Sequence, residues 1–237
     1  MTLYLTSFVF SIIKRRCEEL SLLRSHMILD IHTHTLPLQP GTAIVSVNAE
    51  EWHPFPGHWY AVGIHPWNII DDGQEQLEHL RTVLSTDAFG QIRMLGEMGL
   101  DKRQGPAMEI QRKVFVEQLK IAHSIGKNTV IHDVRSMAEL LAVRRELRCT
   151  QPWLIHGFRG GPEQARQYLR AGCHLSLGIR HNPDTLLSLP LHELFFESDE
   201  DPDSLKTLYD KAAQCLNISV EVLKSQVNNN VLHLLNS

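Results

Sequence analysis

From Met27 onward the chain alternates short apolar runs with longer stretches of helical period. The runs Ile28–His32, Ala43–Val47, Trp59–Ile64, Ile92–Glu97, Asn128–His132, Trp153–His156, His174–Leu177 and Leu194–Glu197 predict strands. Helices are predicted over Gln74–Ser85, Glu109–Ile125, Met137–Arg148, Pro162–Ala171, Asp203–Leu216 and Val220–Leu235. Strands that alternate with helices imply a parallel sheet with both faces covered, and eight such runs imply a barrel. The start of the chain departs from that rule. Only about ten residues separate the first strand from the second, and again the second from the third. A helical crossover needs about a dozen or more. The expected fold is therefore α/β, a compact or distorted TIM-like (β/α) barrel whose first two β/α units are abbreviated. No repeat, low-complexity tract or linker interrupts residues 27–237, which read as one domain.

Residues 1–26 have a different character. Leu3 to Ile13 is apolar and is followed by Lys14-Arg15-Arg16, the reverse of the order in a secretory signal. The run is too short for a bilayer, which takes about 20 residues, so no membrane span is expected. We read this part as a non-native or mis-assigned extension, with translation starting at Met27; the alternative is an amphipathic helix docked on the domain.

The net charge of −4 argues against an extended duplex-binding surface but not against a local basic patch, since charges act over roughly 8 Å at physiological salt. Cys17, Cys149, Cys173 and Cys215 are scattered without a CxxC pair, which points to free thiols in a reducing compartment and a cytoplasmic protein. No pattern in the chain specifies an oligomeric state. Fourteen histidines are the unusual feature, and they turn the reading toward metal chemistry.

In Asp30-Ile31-His32-Thr33-His34 an extended backbone puts Asp30, His32 and His34 on one face, so two imidazoles converge. Glu97, His132, His156 and Asp199 each stand at or just past the end of another predicted strand. Taken singly they have ordinary readings: a hydrogen-bonded structural histidine, or a carboxylate capping the next helix. Together they make four histidines and two carboxylates, and in a parallel barrel all the carboxyl ends of the strands meet at one face.

Five of the following six stretches hold these residues, and the second adds His65: Asp30-Ile31-His32-Thr33-His34, Gly63-Ile64-His65-Pro66, Gly96-Glu97-Met98-Gly99-Leu100-Asp101, Ile131-His132 with Arg135 behind it, Ile155-His156-Gly157-Phe158 with Gly160-Gly161, and Glu197-Ser198-Asp199. In that order they resemble the TatD-type metal-dependent hydrolases of the amidohydrolase superfamily. The resemblance covers nearly all of Met27 to Asn236. It implies a (β/α) barrel with two divalent metal ions that hydrolyses phosphodiester bonds, several members being deoxyribonucleases. It further implies that His32 and His34 bind one metal and His132 and His156 the other. Glu97 would bridge them, and Asp199 would complete the first shell and face the attacking water as general base. Two cations about 3.5–4 Å apart need such an anionic bridge, and they lower the pKa of water from about 15.7 toward 7. Imidazole and carboxylate ligands suit Zn²⁺, Mn²⁺ or Ni²⁺, with Mg²⁺ a further candidate. Asp30 is assigned a supporting hydrogen-bond role.

On the substrate side, His65 matches a family position near the site and could meet a phosphate; otherwise it is a structural histidine at a turn. Glycines ahead of Pro162 could leave backbone N–H groups for a phosphate, and Arg135 and Arg159 could add guanidinium donors or be solvated surface charges. Trp52, Phe55, Trp59 and Trp67 gather around the shortened units, packing the rim or offering a base-stacking platform. Three departures from the family bear on substrate recognition. Thr35 to His58 has no room for helices, Lys102 stands where Tyr is common, and Arg135 is three residues past His132 rather than two. The expected substrate is DNA or a small phosphodiester. The alternatives are hydrolysis of a C–N or ester bond, or a non-catalytic protein that uses metal for stability.

Overall fold

A computed structural model describes residues 29–237. The extension read over residues 1–26, and Ile28 in the first predicted strand, lie outside the described residues. Eight parallel strands follow one another around a single sheet in chain order: β1 (Asp30–Thr33), β2 (Ala43–Asn48), β3 (Trp59–Gly63), β4 (Ile92–Asp101), β5 (Asn128–Val134), β6 (Trp153–Ile155), β7 (Cys173–Leu177) and β8 (Leu194–Phe196). The ring is nearly closed. Just past β8, the Asp199 N–H donates to His32 O and the His34 N–H donates to Asp199 O, both at 3.1 Å. Asp199 sits at φ 56°, a left-handed turn of the backbone that lets one residue meet β1 from both sides.

Between the later strands run α1 (Gln74–Leu84), α2 (Met108–Ser124), α3 (Met137–Glu146), α4 (Pro162–Arg170) and the short α5 (Pro183–Ser188); α6 (Ser204–Leu216) and α7 (Val220–Asn236) follow β8. Among the described residues no helix joins β1 to β2, and a single 3-10 turn, Ala49–Glu51, stands between β2 and β3. These are the two abbreviated units.

Local chemistry explains the element ends. Ser219 caps α7 by accepting from the Val222 N–H at 3.2 Å, and α6 stops at Asn217, whose φ of 53° suits a helix-ending residue. α6 buries Leu208, Tyr209, Ala212 and Ala213, one face of a 3.6-residue period. The strands carry continuous buried runs, with Ile44, Val62, Leu95, Val130, Leu154 and Leu175 all inaccessible. That is the pattern of a sheet covered on both faces, each large side chain contributing about 1.5–3 kcal/mol. α7 ties the first strand to the last part of the chain: the Leu29 N–H donates to Asn228 Oδ1 at 3.1 Å, and Asn230 Nδ2 donates to Leu194 O at 2.9 Å.

β4 and β5 extend beyond their predicted ends at Glu97 and His132, to Asp101 and Val134. Leu95 pairs with Thr129, but the next partners are Met98 and Ile131. β4 therefore holds one extra residue, a bulge that turns Glu97 out of the ladder and into the barrel mouth. Two glycines make this possible. A Cβ on Gly96, at φ 133°, would lie 2.4 Å from Val130 O, and one on Gly99 would lie 2.1 Å from His132 O.

Candidate metal centre

The carboxyl ends of the strands converge on Glu97, whose two oxygens face two different sets of nitrogens. On the Oε2 side are His32 Nε2 at 3.4 Å and His34 Nε2 at 3.5 Å, both from the end of β1. Asp199 Oδ1 stands 3.8 Å from His32 Nε2 and 3.7 Å from His34 Nε2. On the Oε1 side are His132 Nδ1 at 2.7 Å, His156 Nε2 at 2.6 Å and His65 Nε2 at 3.1 Å. The structure thus brings all six residues expected as ligands together, with His65 beside them. Glu200 joins His34 and Asp199 in a further group whose ligand atoms lie within 4.8 Å of one another.

A ring of partners behind these residues fixes their direction. Asp101 Oδ2 accepts from His132 Nε2 at 3.1 Å and from Trp67 Nε1 at 2.7 Å, while Oδ1 accepts from the Arg103 and Gln104 amides. His132 therefore carries its proton on Nε2 and turns the Nδ1 lone pair to Glu97. Glu197, fully buried, holds Oε1 3.7 Å from His156 Nδ1 and accepts from Ser176 Oγ. Asp30 accepts from Ser198 Oγ at 2.6 Å and from the Ser198 and His32 amides at 3.1 and 3.3 Å. It lashes β1 to the segment that carries Asp199, and burial pushes its carboxyl up to about 7. Asp101 and Glu197 were given no role on sequence, and Trp67 was read only as rim packing or a base-stacking platform, not as a partner of Asp101. The Gly-Leu-Asp and Glu-Ser-Asp stretches were the available signals, but neither discloses which ring its carboxylate backs.

Burial alone would raise the Glu97 carboxyl, yet the charge of His156 beside it holds it well below the usual carboxylate range. For His156, burial works downward and Glu97 with Glu197 overcomes it, so the ring is pushed well above its ordinary value. His34 is raised by its bond to Glu97. His65 is lowered, chiefly by burial. All of this describes a carboxylate that needs positive charge on both sides. The His132 lone pair and Glu97 Oε1 are both acceptors, and 2.7 Å between them is repulsive unless a proton or a cation lies there. His32 is wholly buried and neither ring nitrogen makes a hydrogen bond. Unsatisfied imidazoles around a buried carboxylate fit divalent cations.

Distance alone would admit His65 as another metal donor, since its ligand atom groups with those of Glu97 and His132. Its tautomer argues otherwise. The Trp67 amide donates to His65 Nδ1 at 3.1 Å, so a neutral ring carries its proton on Nε2, the atom facing the site. His65 is a donor there. Arg159 is exposed and lines a neighbouring cleft that also touches Asp199. Arg135 is exposed and lines neither that cleft nor the one over Glu97. In the glycine-rich loop two amides are already engaged: the Phe158 N–H donates to Ser176 O, and the Gly161 N–H donates to Gln164 Oε1. The loop ahead of Pro162 is accordingly spent in part on its own fold. Among the described residues no helix is long and apolar enough to cross a membrane.

A family model described as TatD related DNase matches residues 33–236. YjjV of Escherichia coli (strain K12), a metal-dependent hydrolase by its name, is 26% identical over 159 residues, 64% of this chain and 60% of YjjV. YabD of Bacillus subtilis (strain 168), named likewise, is 25% identical over 148 residues, 59% of this chain and 57% of YabD. Both matches span less than two thirds of those relatives. The Danio rerio relative tatdn3 is 25% identical over 210 residues, 76% of this chain and 77% of that protein. In three dimensions the chain resembles E. coli YjjV with a TM-score of 0.77 at 21% identity, covering 89% of this chain and 98% of that one. A TatD family hydrolase from Entamoeba histolytica gives 0.72 at 14% identity, covering 88% and 97%. These structural likenesses speak for the barrel. The match over residues 33–236 makes this chain a member of the TatD-related DNase family.

Proposed function

We propose that this chain is a divalent-metal-dependent hydrolase of phosphodiester bonds, acting on DNA ends. The observation that carries the reading is Glu97, one buried carboxylate with each oxygen turned to its own group of imidazoles. His32, His34 and Asp199 would hold one ion, His132 and His156 the other, with Glu97 between. Bound there, two divalent cations supply Lewis acidity and an acidified water. Asp199 would serve as general base, a role supported by its carboxylate lining the open cleft and its backbone being clamped to β1. His65, whose Nε2–H meets Glu97 Oε1 at 3.1 Å, would turn that donor to a substrate oxygen. Asp101 and Glu197 keep His132 and His156 turned inward.

The test is removal and return of the metal. Protein stripped with a chelator should lose hydrolysis of bis-p-nitrophenyl phosphate and of single-stranded DNA, and regain it with Mg²⁺, Mn²⁺ or Zn²⁺. Activity that ignores both treatments would refute the reading. One observation favours a second reading. The cleft over Glu97 has Glu51 and Glu200 in its wall and no lysine or arginine, which suits a neutral substrate such as an amide or ester as well as a singly charged diester. Acylated amines tested beside DNA distinguish the two.

A further inference from the structure

The cleft over Glu97 encloses about 280 Å³, and one wall is Trp67. This indole is 45% exposed, although large aromatic side chains normally bury most of their surface. Its polar edge is already spent, since Nε1 donates to Asp101 Oδ2 at 2.7 Å. The ring stands at 82° to His65, centroids 4.8 Å apart, and at 79° to His132, at 5.4 Å. A side chain anchored this way has one thing left to offer the cleft, a rigid apolar π-surface held beside the catalytic carboxylate.

Two amide side chains line the same cleft. Asn48, at the end of β2, accepts the His65 N–H through Oδ1 at 3.2 Å, which leaves its NH2 available. Asn68, one residue past Trp67, is exposed and lines the same cleft. Asn48 closes β2, where the chain turns through Ala49–Glu51 with no α-helix, and Asn68 closes the short turn Pro66–Asn68 after β3. A flat ring flanked by donors and acceptors in its neighbourhood matches a flat heterocycle with polar edges. Stacking a base on an aromatic side chain is favourable by about 1–3 kcal/mol and tolerates any base.

We propose that Trp67, with Asn48 and Asn68, forms a nucleobase subsite next to the scissile bond, so that the site holds the terminal base as well as the phosphate. The inference rests on the phosphodiester reading for the position of the phosphate, but its test does not need turnover.

Binding of thymidine 5′-monophosphate and of 2-deoxyribose 5-phosphate to the full chain is measured by equilibrium dialysis; neither has a diester bond to lose. The native protein should prefer the nucleotide by about 5- to 160-fold, the equivalent of that stacking range. Trp67→Leu should erase the preference, whereas Trp67→Phe, which keeps a ring but loses the bond to Asp101, should retain most of it. A native protein without preference, or Trp67→Leu with an undiminished one, overturns the subsite. So does Trp67→Phe behaving like Trp67→Leu, which would reduce Trp67 to a prop for Asp101. In parallel, an oligonucleotide with an abasic 3′ terminus should be cleaved more slowly than its intact counterpart by the native protein, and equally fast by Trp67→Leu. A base preference in binding without cleavage of either strand would reject the phosphodiester reading and leave the subsite standing.

Discussion

Replacing Asp101 with Asn should disable one half of the site and spare the other. Asp101 is 2% exposed and receives four donors, two backbone amides on Oδ1 and two ring N–H groups on Oδ2. Asn has one carbonyl oxygen. Kept on the amides of Arg103 and Gln104, it turns an NH2 toward the rings. His132 can respond by moving its proton from Nε2 to Nδ1, but the indole of Trp67 cannot, so one buried donor stays unpaired at about 1–3 kcal/mol. Urea unfolding of chelator-treated protein should show a loss of that size. The proton moved to Nδ1 occupies the lone pair that faces Glu97, and loss of such a supporting carboxylate weakens metal binding about 10- to 100-fold. His32 and His34 make no contact with Asp101 and should be unaffected. Elemental analysis after dialysis against limiting Zn²⁺ should therefore fall from about two ions per chain to about one. Retention of both ions at native affinity, or loss of both together, would refute the tautomer argument.

Other expectations follow from the same geometry. Glu97→Ala should remove both ions and nearly all activity, while Arg135→Ala, exposed and away from both clefts, should change kcat/KM by no more than about twofold; steady-state kinetics with elemental analysis compares them. Gly99→Ala drives a Cβ against His132 O and should cost more than about 4 kcal/mol, whereas Gly126→Ala, at φ 63° with open space around it, should cost about 1–2 kcal/mol by urea titration. The Glu193 carboxyl is lowered by its bond to His174 at 3.0 Å, so its contribution is present above the unfolded value of 4.5 and is lost as pH falls through the lower folded one. Glu193→Gln should thus be less stable than the native protein at pH 6, by under about 1 kcal/mol at this partly exposed pair, and equal to it near pH 3.

The strands were legible because a doubly covered parallel sheet writes each one as an unbroken apolar run, and the missing helices because about ten residues cannot hold a crossover. Hidden features were those decided by a partner far away in the chain. β4 runs on to Asp101 because Gly99, Leu100 and Asp101 pair with His132, Asp133 and Val134 beyond the bulge, a register no local pattern encodes. α5 has six residues, too few for a period; its signal was Asn182 before Pro183, the Asn side chain accepting from the Asp184 N–H. The ligand candidates stood out as polar residues closing apolar runs. Asp101 and Glu197 do the same, but their service to His132 and His156 appears only when the strands are side by side. Charge alone did not say which way Arg135 and Arg159 face: both are exposed, and Arg159 lines a cleft shared with Asp199 while Arg135 does not.

The clamp at Asp199 ties the integrity of the barrel to the occupancy of its mouth. The two amides that join the ends of the sheet belong to His34 and Asp199, and His34 Nε2 lies 3.5 Å from Glu97 Oε2 and 3.7 Å from Asp199 Oδ1. Prying the first strand from the last would scatter that half of the cluster, so an ion held there would act as a rivet across the join. Hydrogen exchange at these two amides should then slow as metal is added, by a factor that tracks its concentration over its dissociation constant, while amides on β5 and β6 barely respond.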